Sequence, residues 1–92
     1  ANHPALFCDE LKAHKLSWVG TVPEKFPFHC SSKIRYRQND HPCVIQSIEN
    51  GQAHVKFPEP QRAATLGQSI VFYIGHQCLG GGIICKAVHS ST

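Results

Sequence analysis

The chain contains no methionine, and no apolar run among its 92 residues approaches the ~20 needed to cross a bilayer as a helix. It opens Ala-Asn-His-Pro, without the basic and apolar regions of a secretory signal. The simplest expectation is a segment of a longer protein. Charge is also sparse. Only 16% of residues are charged against 41% hydrophobic, which excludes both a disordered chain and a membrane span. Nine Lys/Arg against six Asp/Glu leave a net charge of +3, which suits a polyanionic partner without requiring one.

The catalytic signatures are missing as well. Gly80-Gly81-Gly82 is followed by Ile83-Ile84, not by the Lys-Ser/Thr that leads a phosphate loop into a helix. Glycines in such a strand-like setting mark a sharp bend or a close backbone approach at a barrel corner. No Cys-x2-Cys pair exists to start a structural zinc site. Cys85 with His89 is the nearest spacing, and it lacks a matching pair. There is no serine elbow, no paired carboxylates in a strand-loop setting and no ATP-binding motif. The chain alone reads as non-catalytic and without a metal. Its five cysteines, Cys8, Cys30, Cys43, Cys78 and Cys85, are odd in number and irregular in spacing. That argues for reduced, mostly buried thiols in a cytoplasmic protein rather than a secreted disulfide framework.

What remains is a string of short β signals. Residues 5–15 carry a loose helical pattern through Leu6, Phe7 and Leu11, which predicts a short N-terminal helical turn. Strands are expected over Leu16–Val22, Phe28–Arg37, Pro42–Glu49, Gln52–Phe57, Ile70–Ile74 and Cys78–Val88. Asn50-Gly51 is a strong hairpin signal. After it Ala53, Val55 and Phe57 alternate with Gln52, His54 and Lys56. Pro58-Glu59-Pro60 should end that strand, and Ile70–Ile74 reads as buried on both faces. Six strands at short spacing with little helix favour a small closed barrel or sandwich, forming one domain over residues 1–92.

The richest chemistry lies in Lys33-Ile34-Arg35-Tyr36-Arg37-Gln38. Phosphates need cations, an unstacked base needs a flat π-face, and base edges need paired donors and acceptors. In an extended strand, Lys33, Arg35 and Arg37 share one face, and Ile34 and Tyr36 the other. Arg35 and Tyr36 could then meet one ligand only near the strand's end or at a bulge. An ordinary solvated face over a packed Tyr36 explains the same pattern, so the run alone leaves both readings open.

These residues also carry a family resemblance. Asn2-His3-Pro4-Ala5-Leu6, Leu16-Ser17-Trp18-Val19, Arg35-Tyr36-Arg37-Gln38, Pro42-Cys43, Phe57-Pro58-Glu59-Pro60, Gly67-Gln68-Ser69 with Val71-Phe72-Tyr73, and Cys78-Leu79-Gly80-Gly81-Gly82-Ile83-Ile84 follow one another in order. The set resembles the C-terminal domain of bacterial tRNA-specific 2-thiouridylases. The resemblance implies an all-β fold, a six-stranded antiparallel barrel similar to those of elongation factor Tu. It implies a parent enzyme that uses ATP to activate the wobble uridine, and cysteines outside this chain that carry the sulfur. It implies tRNA, the parent's catalytic domain and a sulfur-relay protein as partners, with no membrane. It further implies that Arg35, Tyr36 and Gln68 contact tRNA. Lys33, Arg37 and Arg62 are added from charge and nearness in sequence. The competing expectation is a structural barrel that docks on the catalytic domain through Tyr36 and Phe28.

Overall fold

The computed structural model describes residues 7–34, 40–62 and 65–88. Six strands follow in order: β1 (Phe7–Trp18), β2 (Phe28–Lys33), β3 (His41–Glu49), β4 (Gln52–Arg62), β5 (Ser69–Ile74) and β6 (Gln77–Val88). They close into a barrel in the order β1-β4-β3-β2-β5-β6, with every neighbouring pair antiparallel. Closure leaves no free sheet edge, which suits a small domain that cannot cover edges with helices. Among the described residues no helix is long and apolar enough to cross a membrane.

The interior is built by period-two alternation. Ala53, Val55 and Phe57 of β4 are buried, as their spacing predicts, and they meet Leu11, Ala13, Ile45, Ile70, Phe72 and Ile84. Phe72 lies fully inside and stacks on Trp18 with ring centroids 5.8 Å apart. The β3–β4 hairpin turns at Asn50 (φ 53°) and Gly51 (φ 73°), two successive left-handed residues of the kind an Asn-Gly turn supplies.

Several sequence expectations need correction. The helical pattern read over residues 5–15 is strand from Phe7 onward; Ala5 and Leu6 lie outside the described residues. The register with β4 breaks between Cys8 and Glu10, and Cys8 and Leu11 are both buried although they are three apart. A strand with such a break imitates helical spacing. The same strand ends at Trp18, short of the expected Val22.

Strand β4 continues through Pro58-Glu59-Pro60 to Arg62 instead of stopping. Lys56 pairs with Glu10 and Gln61 pairs with Cys8, so four residues of β4 bulge opposite Asp9. Two prolines fit there because a bulge does not need every N–H. Strand β5 is buried on one face only: Ile70 and Phe72 point in, whereas Val71 and Tyr73 are half-buried. Strand β2 ends at Lys33 and Ile34 forms a bend, short of the strand expected through Arg37; residues 35–37 lie outside the described residues.

The three glycines of β6 are where the barrel closes most tightly. A Cβ on Gly80 would run into the Ser17 carbonyl oxygen, and one on Gly81 into that of Ile70. On Gly82 it would lie 2.6 Å from the His14 oxygen. The triplet is a close-approach seam between β1, β5 and β6, and β6 runs through it unbroken.

Candidate nucleic-acid interface

An all-antiparallel barrel sorts its strand ends into two rims. One rim collects the ends of β2, β4 and β6 and the starts of β1, β3 and β5. The sequence segments that carry the candidate residues converge on it: the end of β2, the end of β4 and the approach to β5.

Lys33 is the last residue of β2 and pairs with Val71 of β5. Its Nζ lies 5.3 Å from the centroid of the Tyr73 ring, the diagonal neighbour on the same outer face. A cleft of about 360 Å³ runs from this pair along the outer wall toward the β5–β6 turn at the opposite rim, lined by Lys33, Asp40, Tyr73, Gly75 and His76. It combines a cation, an aromatic face, an imidazole and a carboxylate. Ile34 packs on the core. Arg35, Tyr36 and Arg37 lie outside the described residues, whose two ends here are Ile34 and Asp40.

Gln68 is held by local chemistry. Gly67 takes a left-handed φ of 88°, and its N–H donates to the Ile84 carbonyl at 2.8 Å. The Ile84 N–H donates back to the Gln68 carbonyl, also at 2.8 Å. The Gln68 side-chain oxygen accepts from the Thr65 N–H at 3.0 Å. With that oxygen used to close the loop, the side-chain NH2 has no partner among the described residues, which leaves a donor for a ligand. Arg62 ends β4 opposite Phe7, so its main chain belongs to the same rim.

Sequence reasoning missed Tyr73, Asp40 and His76. Tyr73 was assigned to a doubly buried strand. The alternation of Ile70 and Phe72 against Val71 and Tyr73 was the available signal.

The opposite rim is different. Loop 19–27 and Phe28 form a groove of about 400 Å³ with Thr21, Val22, Pro23, Glu24, Lys25 and Leu79. Val19, Val22 and Phe26 are exposed there. Phe28 thus lies far from the β2 end that precedes Arg35 and Tyr36.

No group of three or more His, Cys, Asp or Glu that could hold a metal occurs among the described residues. All five cysteines are free. Burial pushes the Cys8 thiol up, and its S–H donates to the Glu10 carbonyl at 2.9 Å, which is the setting of an inert packing thiol.

The described residues define a small, closed, six-stranded antiparallel barrel domain, with Lys33 at one rim. The model of the aminomethyltransferase β-barrel domain family matches residues 8–84, and the chain belongs to that family. It is 64% identical over 84 residues to a tRNA-specific 2-thiouridylase of Protochlamydia amoebophila, covering 91% of this chain and 22% of that protein. It is 53% identical over 83 residues to the enzyme of the same name from Francisella philomiragia, covering 90% and 23%. Against that of Coxiella burnetii strain CbuK_Q154 it is 50% identical over 82 residues, covering 89% and 22%. The resemblance to tRNA-specific 2-thiouridylases read from the sequence is borne out. The chain spans about a fifth of the length of the curated relatives it matches.

Proposed function

We propose that residues 1–92 are the C-terminal barrel of a tRNA 2-thiouridylase, and that the rim at the end of β2 holds tRNA while the parent thiolates its wobble uridine. The observation that carries this reading is the convergence of the ends of β2 and β4 and the start of β5 on one rim. Arg35 supplies a phosphate contact and Tyr36 a stacking face. Gln68 offers its side-chain NH2, and Lys33, Arg37 and Arg62 add charge. The parent, in the cytoplasm, uses ATP to activate the uridine, and cysteines outside this chain relay the sulfur from a partner protein.

The experiment is a double substitution, Arg35→Ala with Tyr36→Ala, in the full-length parent. A lost stacking contact costs about 1–3 kcal/mol, so tRNA affinity should fall roughly tenfold or more while ATP affinity holds. Unchanged tRNA affinity would sink the assignment.

The apolar groove at the far rim favours a second role that is compatible with the first. Phe28, Val22 and Leu79 would dock the barrel on the rest of the parent. Footprinting of tRNA on the parent, with and without this domain, separates the two roles. An unaltered footprint leaves docking as the domain's only contribution.

A further inference from the structure

Cys30 of β2 and Cys43 of β3 are register partners, directly opposite each other on adjacent antiparallel strands. Their sulfurs lie 3.6 Å apart and share a hydrogen bond. Opposed residues on antiparallel strands have Cα atoms about 4.5–5.5 Å apart, inside the range of about 4.4–6.8 Å that a disulfide spans. Side-chain rotation can bring the sulfurs together without moving either strand. Cys30 is half-buried and within reach of a small reagent, whereas Cys43 is 2% exposed and is not. Beside them, the Oγ of Ser32 is buried without a hydrogen-bond partner among the described residues.

We propose that Cys30 and Cys43 form a redox modification site, closing to a reversible cross-strand disulfide by exchange with a low-molecular-weight disulfide of the glutathione class. The hydrogen bond from Cys30 holds the Cys43 thiol below its ordinary range, and the same bond holds the Cys30 thiol far above its own. The pair therefore gives up one proton as a unit, and the charge that remains is shared across the two sulfurs. The Ser32 hydroxyl is free to turn toward that charge.

In the first exchange the shared proton settles on Cys43, and the Cys30 thiolate attacks one sulfur of the reagent. The reagent's S–S bond breaks, and one small thiolate leaves. Cys43 then releases that proton to the departed thiolate and attacks the Cys30 sulfur. The mixed disulfide breaks and the second small thiolate leaves. Two protein thiols are oxidised, and one small disulfide is reduced to two thiols. The staple closes across β2 and β3 at the base of the segment that carries Arg35 and Tyr36.

The test equilibrates the chain with reduced and oxidised glutathione over a range of ratios, blocks free thiols with N-ethylmaleimide, and maps unreduced tryptic peptides by mass spectrometry. The expected result is a Cys30–Cys43 linked peptide in the majority of chains under oxidising ratios, with the exposed Cys78 forming only a glutathione adduct. In Cys43→Ser the linkage should vanish and Cys30 should accumulate as the glutathione adduct. Recovery of Cys30 and Cys43 as maleimide adducts at every ratio would overturn the proposal. So would linkages scattered evenly among all five cysteines. The wild-type measurement stands even where the variant fails to fold.

Discussion

At Gly81 an added methyl group would meet the Ile70 carbonyl oxygen and the Val71 Cα, both main-chain atoms that cannot swing aside. Relief requires β5 and β6 to part, and overpacking of this kind costs about 1–3 kcal/mol. Gly81→Ala should therefore lower the urea midpoint by the equivalent of that loss. Gly51 has no heavy atom within 4 Å and needs only a left-handed backbone. Asparagine tolerates that conformation, so Gly51→Asn should shift stability by less than about 0.5 kcal/mol. Phe72→Ala, which empties the stacked centre of the core, should cost about 3–5 kcal/mol by the same measurement. The glycine triplet was legible in the sequence as a close approach. Which carbonyls it meets was not, because that depends on the register with β1 and β5, which no local pattern encodes.

Among the elements, the hairpin at Asn50-Gly51 and the alternation of Ala53, Val55 and Phe57 were readable because both are local. Only the end of strand β1, from Leu16, was readable as a strand, because register breaks over the rest disturb the period-two signal that would have revealed it. Such breaks give a small barrel its curvature, so the fold itself erased the pattern. The prolines of β4 misled for the same reason. The turn at Asn50-Gly51 lies on the rim away from Lys33 and Gln68, which separates stability from binding at this element. Gly51→Val forces a branched residue into a left-handed position and should cost at least 1–2 kcal/mol in urea unfolding. Below the melting transition, tRNA affinity of the full-length parent carrying Gly51→Val should match wild type within about twofold. A tenfold loss would place RNA contacts on the hairpin rim instead.

At the scale of the whole molecule, the two rims differ in chemistry, and the difference can be read through salt. On the proposed function Lys33 marks the rim that meets phosphates, while Val22, Phe28 and Leu79, beside Glu24 and Lys25, line a groove at the other rim that would take an apolar partner. Lys33 heads the one basic run visible in the sequence. The gathering of Lys33, Tyr73 and His76 around a cleft needed the β2–β5 pairing, which no local pattern encodes. Each phosphate neutralised by a cation releases counterions, so the slope of log K against log salt concentration changes by about 0.9 per contact on a duplex and about 0.7 on single strands. In the full-length parent, Lys33→Gln should make that slope shallower by about 0.7–0.9 and weaken tRNA binding at low salt. Val22→Asp at the opposite rim should leave the slope within error, because it removes no cation. Its effect should appear instead as easier proteolytic release of the barrel from the parent. If Lys33→Gln leaves the slope unchanged while Val22→Asp lowers tRNA affinity, the assignment of the rims is reversed.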